Sequence, residues 1–181
     1  MKKTLLIFVF IIFLCGCNNA NENKFSNYEH YDLSGKNLIK YNFVDKNNIM
    51  QNYAIADITP DSYEISVYGL FYQVSENDYI LLDKIQSNKS KEDIIRFQYN
   101  KLYVIGMGET PGNYEYILNQ EKITKKELIF EFSKGFIIRS IKDVKDNEIY
   151  YYALINEDSS NNNINVELIC SLSTYKCELN D

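Results

Sequence analysis

Few residues in this 181-residue chain could do covalent chemistry: four cysteines, one histidine and a scatter of acids. Cys170 and Cys177 are spaced evenly about Ser173 and Thr174. That spacing predicts a short hairpin, residues 166–171 against Lys176–Leu179, with the two cysteines opposite each other. Facing positions in such a hairpin hold Cβ atoms about 4.5–5.5 Å apart. A disulfide needs roughly 3.5–4.5 Å, so a small adjustment closes one. Structural zinc needs further Cys or His ligands, and the spacing supplies none, so no metal and no cofactor is expected.

The stretch Gly106-Met107-Gly108-Glu109-Thr110-Pro111-Gly112-Asn113 is the most ligand-like loop. Its glycines allow positive φ and close backbone approach, which makes Gly106, Gly108, Glu109 and Gly112 candidate ligand contacts. It has no third glycine at the position a dinucleotide fingerprint requires and no following helix, and it lacks the Gly-Lys-Ser/Thr of a phosphate loop, so a plain strand connection is the simpler reading. Residues 156–163 (Asn-Glu-Asp-Ser-Ser-Asn-Asn-Asn) are rich in oxygen ligands. They lack the central Gly and terminal Glu of a calcium loop and read as a solvated turn. His30 has no nucleophile elbow to serve and reads as a surface or packing residue. Tyr150-Tyr151-Tyr152 puts aromatics on both faces of a strand, one of them free to stack on a sugar ring or a partner. The acids fall in turns, and no pair is set apart as a glycosidase dyad.

The elements that must position these residues are strands. From Lys40 onward, runs rich in Tyr, Phe, Ile and Val alternate with Asn, Asp, Gly and Lys clusters, the signature of antiparallel hairpins. The expected strands are Met50–Asp57, a 63–74/79–85 hairpin, a 94–99/101–106 hairpin turning at Tyr99-Asn100, 114–119, a 128–132/136–141 hairpin through Lys134-Gly135, 149–155, 164–171 and Lys176–Leu179. Ser90-Lys91-Glu92-Asp93 and Thr124-Lys125-Lys126-Glu127 resemble capping boxes, but the apolar runs behind them are short, and both are read as strand.

Lys101-Leu102-Tyr103-Val104-Ile105 and Glu148-Ile149-Tyr150-Tyr151-Tyr152 share a pattern at an offset of 47 residues. Ile94-Ile95-Arg96 and Ile137-Ile138-Arg139 repeat at an offset of 43. These periods resemble those of β-propeller blades. About three blades fit, whereas a closed propeller needs at least about four. The fold class is therefore all-β: antiparallel hairpins arranged as about three blade-like sheets in an open propeller-like arc, or a β-sandwich.

The first 17 residues give an address. Lys2 and Lys3 precede an apolar run of about ten residues, half the length of a membrane span. Leu14-Cys15-Gly16-Cys17 then resembles the lipobox of bacterial lipoproteins. The resemblance covers these 17 residues alone and implies a signal peptide at 1–16 and a diacylated Cys17 as mature N-terminus. Residues 18–27 are polar, Asn-rich and without period, so 17–27 reads as a lipid-anchored flexible tether and 28–181 as a single extracytoplasmic β-rich domain. The implied location is the extracytoplasmic face of the bacterial cell membrane, held through the acylated Cys17. Removing Lys2 and Lys3 leaves 17 basic against 25 acidic residues, a net charge of −8. Such a surface argues against nucleic acid, which needs clustered Lys and Arg. The expected function is a non-enzymatic binding or interaction module of the cell envelope, with an envelope protein or glycan as partner. The alternatives are a structural subunit of an envelope complex and an extracytoplasmic hydrolase.

Overall fold

The computed structural model describes residues 24–106, 111–132, 135–157 and 162–180, without the side chains of 156, 157, 162 and 163. These residues form three sheets, each built on a four-stranded antiparallel meander, and none closes into a barrel. The first sheet holds β1 (His30–Asp32), β2 (Leu38–Val44), β3 (Met50–Asp57), β4 (Ser66–Ser75) and β5 (Asp78–Ser87), in the order β1-β5-β4-β3-β2. A one-turn helix α1 (Lys91–Ile94) leads into the middle sheet: β6 (Ile95–Gln98), β7 (Lys101–Gly106), β8 (Gly112–Asn119) and β9 (Lys122–Leu128), in chain order. The third sheet holds β10 (Glu131–Phe132), β11 (Phe136–Lys145), β12 (Glu148–Glu157), β13 (Asn162–Ser171) and β14 (Lys176–Leu179), in the order β10-β14-β13-β12-β11. The all-β expectation and the three blade-like sheets are thus borne out.

Side-chain alternation explains the layering, because successive strand residues point to opposite faces. In β7, Tyr103 pairs with Glu115 and Leu102 with Tyr116. The Tyr116 hydroxyl reaches Asp83 of the first sheet, while Tyr103 lies near Tyr151 of the third. Residues 102–105 are all buried, so the middle sheet is covered on both faces. One apolar core runs through the seams on either side of it. The outer face of the first sheet makes a second, small cluster of Leu33, Ala54, Ala56, Phe71 and Tyr79.

The 47- and 43-residue offsets mark equivalent strands: β7 and β12 are second in their meanders, and β6 and β11 are first. Burial is not repeated with them, for Ile94 is fully buried and Ile137 is half exposed.

Three sequence expectations are corrected. The Ser90 box is a true helix start: Ser90 Oγ accepts from the Asp93 N–H, and one turn forms before the chain extends at Ile95. The capping bond wins locally because only one turn separates the box from the strand. The 128–132/136–141 hairpin does not form. Leu128 ends β9, Glu131 and Phe132 run parallel to β14, and β11 pairs with β12. β14 was left with a free edge, and the segment entering the third sheet fills it. The first strand of the main hairpin begins at Ser66, not at Tyr63, which stays exposed. The Thr124 box is strand as expected, within β9. β1, β2 and the start of β9 were not foreseen. They are short or polar edge strands, where Lys and Asn mask the apolar alternation.

Cys170 and Cys177 are Cα partners across β13 and β14, 4.1 Å apart, with their sulfurs at bonding distance. The hairpin register read from the sequence places them as expected.

Candidate functional site

The predicted ligand loop is described only at its ends. Gly108 and Glu109 lie outside the described residues. Gly106 and Gly112 are Cα partners that close the β7–β8 pair. Gly112 has φ +137°, and a Cβ there would meet Glu127 Oε1 at 3.3 Å, so both the backbone path and the close neighbours call for glycine. The centre of the acid-rich stretch, 158–161, also lies outside the described residues. Cys17 does as well.

His30 is a clamp. Its Nδ1 is 2.8 Å from Asp78 Oδ1 and its Nε2 is 3.0 Å from the Phe25 carbonyl. The Asp78 hydrogen bond, then the Phe25 carbonyl, hold the imidazole above its ordinary pKa. Tyr151 is buried between the middle and third sheets, while Tyr152 is exposed on the outer face under the Lys142 ammonium, 5.5 Å from the ring centroid. Other strong polar groups are likewise committed to neighbours. Glu115 accepts from Lys101 at 2.6 Å and from the Tyr103 hydroxyl at 3.1 Å. Asp83 accepts from the Tyr116 hydroxyl at 2.7 Å and from Lys125 at 3.1 Å. Burial, reinforced by Glu115, pushes the Tyr103 phenol well up, and burial beside Asp83 does the same to Tyr116. Both remain neutral donors.

What the fold brings together, unforeseen, is a cleft of about 260 Å³ between the first and middle sheets, lined by Phe43, Asp45, Lys46, Asn47, Tyr99, Asn100 and the 117–119 end of β8. Three turns build it, and each carries a non-glycine residue in the left-handed region: Asn48 at φ 62°, Tyr99 at 50° and Gln120 at 56°. Such backbone is uncommon for a bulky aromatic, and it presents the Tyr99 ring with over half its surface exposed. Tyr99 packs against Phe43 at 5.4 Å, and Phe43 stacks on Tyr53 at 6.0 Å. The aromatic floor is therefore continuous with the core.

The polar rim is fixed from behind. Asp45 Oδ1 accepts from the backbone N–H groups of Asn47 and Ile49, and Asp45 Oδ2 accepts from Gln51 Nε2 at 3.0 Å. Gln51 is only 1% exposed, and its Oε1 finds no protein donor among the described residues. Opposite, Leu118 N–H donates to the Asn100 carbonyl at 2.8 Å, and the Tyr53 hydroxyl donates to the Gln120 carbonyl at 3.0 Å. These bonds tie the three turns into one rigid end of the molecule.

Residues 24–28 dock beside this end, although 24–27 read as tether in the sequence. Lys24 Nζ donates to Gln120 Oε1 at 2.9 Å and pairs with Glu121 Oε2 at 3.1 Å, and the Phe25 ring lies 6.2 Å from Tyr72. Burial alone would raise the Glu121 carboxyl, but its own backbone N–H and Lys24 outweigh it and hold the group below its ordinary value.

No protein-family model, curated protein or solved structure matches this chain. The cleft was missed in the sequence because its walls come from residues 43–47, 99–100 and 117–119. The signal that could have found it is an aromatic, Tyr99, in a two-residue turn where Gly or Asn is usual.

Proposed function

We propose that the chain is a membrane-tethered bacterial lipoprotein, carried on the extracytoplasmic face by an acylated Cys17, and that it acts as a non-enzymatic binding module of the cell envelope. The observation that carries this reading is the lipobox-like Cys17, followed closely by Lys24 docked on Gln120 and Glu121 of the β8–β9 turn. Six residues lie between Cys17 and Lys24, and the seven Cα steps reach at most about 25 Å when extended. The cleft beside that turn is thereby held near the bilayer surface. Two acyl chains, at roughly 0.8 kcal/mol per buried methylene, make such a tether stable without a basic patch, in keeping with the acidic net charge. The commitment of His30, Glu115 and Asp83 to structural contacts favours binding over catalysis. Labelling with a fatty-acid analogue tests the anchor: the wild-type chain incorporates label and Cys17→Ser does not. Equal labelling of both overturns it.

A second reading, a structural subunit of an envelope complex, draws on the third sheet. Phe132, Ile137 and Leu179 of the third sheet, and Ile129 just before it, are exposed, and β10 is a short edge strand. Crosslinking in intact envelopes from cysteines placed at Ile129 and Phe132 tests it, with discrete protein adducts the expected result.

A further inference from the structure

We propose that the cleft between the first and middle sheets is a saccharide subsite that takes one neutral sugar ring against Tyr99. The inference rests on the binding-module reading above and gives it a ligand class. Four observations converge on it. The ring of Tyr99 is exposed and braced by Phe43, which stacks on Tyr53, so a flat apolar face is offered at a reduced entropic cost of ordering it. The C–H face of a pyranose is the complementary surface. Around that ring stand Asn47, Asn100, Asn119, Asp45 and Lys46, short amides and charges that match the mixed donors and acceptors of sugar hydroxyls. The cleft volume of about 260 Å³ is below the range usual for drug-sized ligands, which suits one ring of a longer chain. Finally, Asp45 and Lys46 sit together, so the site carries no net charge of its own, and the acidic molecule around it disfavours polyanions.

The Leu118–Asn100 and Tyr53–Gln120 bonds tie neighbouring turns and strands, and Gln51 fixes Asp45 within its own hairpin, so the cleft is preorganised for a ring. A single ring held by one aromatic face and a few hydroxyl contacts binds weakly, with a dissociation constant on the order of 1 mM. Useful affinity then comes from several rings, or from many tethered copies meeting a polymer near the bilayer.

The test is amide-resolved NMR of the full chain carrying Cys17→Ser, titrated separately with the methyl glycosides of glucose, galactose and N-acetylglucosamine. The expected result is that at least one gives saturable shifts confined to the amides of Asn47, Tyr99, Asn100 and Asn119. Tyr99→Asn, which suits left-handed backbone, weakens that binding at least tenfold while leaving the rest of the spectrum in place. Asn119→Ala, on the rim, weakens it by a smaller factor and guards against a misfolded Tyr99 variant. Absence of shifts with all three glycosides overturns the subsite. So do shifts that survive Tyr99→Asn, or shifts centred on Tyr150 and Tyr152. Lipid labelling at Cys17 is read in a separate experiment, so failure of the subsite is distinguishable from failure of the tether.

Discussion

The two seams that flank the middle sheet are built from the same kinds of strand and end differently. Between the middle and third sheets the contacts are mostly apolar: Tyr103, Ile105, Ile141, Val144, Ile149, Tyr151, Ala153 and Leu168 share one core, and Phe130 meets Tyr151 edge-on at 6.1 Å, with the Tyr103 hydroxyl on Glu115 and Lys126 on Tyr175 as polar contacts. Cations close its backbone. Lys89 Nζ donates to the carbonyls of Ile138 and Arg139, and Arg96 Nε donates to that of Lys142. Burial holds the Lys89 ammonium below the usual lysine range. Between the first and middle sheets an aliphatic layer that includes Ile55, Leu70, Leu102 and Leu118 is joined by aromatic and polar contacts. Tyr41 stacks on Phe97 at 4.3 Å, Tyr116 and Lys125 meet Asp83, and the seam opens into the cleft at its turn end. Interdigitating side chains fill the middle of both seams. The difference lies at the turn end of the open one, where Phe43, Tyr99 and the polar turn residues leave the cleft.

The largest expected effect tests the closed seam. Tyr151→Ala removes a ring that is 1% exposed and should lower unfolding stability by about 3–5 kcal/mol, read from urea denaturation. Phe97→Ala, in the open seam and only partly buried, should cost less than half of that. Equal losses would break the contrast between the two.

Cys170→Ser comes next. Its disulfide closes a loop of sequence separation seven, so the loss should be near the low end of disulfide effects, roughly 2 kcal/mol. It should also be local. Hydrogen exchange should speed up in β14 and along the β10 edge, with β2–β5 unchanged. Uniform acceleration through all three sheets would show that the seams are not separable.

Tyr116→Phe probes the polar clamp of the open seam. Asp83 keeps Lys125 but loses the hydroxyl at 2.7 Å, a cost of about 1–2 kcal/mol. Thermal unfolding measures it. A shift indistinguishable from zero would mean that Asp83 is satisfied by solvent and that the clamp does not hold the seam.

The smallest effect is on the docked N-terminal segment. His30 has a raised folded-state pKa, so its contribution is full below the ordinary value of 6.5 and is lost as pH rises through the raised one. Glu121 has a lowered pKa, so its contribution is full above the ordinary value of 4.5 and is lost as pH falls through the lowered one. The Lys24–Phe25 dock should be tightest between those two ordinary values. Limited proteolysis near Lys24 should therefore be slowest in that window and faster on either side. A rate that does not change across the series would remove both groups from the clamp.

By itself, the sequence determined most of what depends on local patterning: the all-β class, the central hairpins, the three-sheet arithmetic and the facing of Cys170 and Cys177, though not the helical turn at Ser90. These follow from residue alternation and turn chemistry within a few positions of one another. It also carries the lipobox resemblance at Cys17, whose test is chemical. It misassigned β10, because a parallel partner such as β14 becomes available only after the third meander has formed. It read residues 24–27 as tether because their partners, Gln120, Glu121 and Tyr72, are remote in the chain. The cleft was beyond it for the same reason. Phe43, Tyr99 and Leu118 meet only when two separate sheets stack, and stacking is chosen by the summed burial of whole faces rather than by any pattern those three residues carry alone.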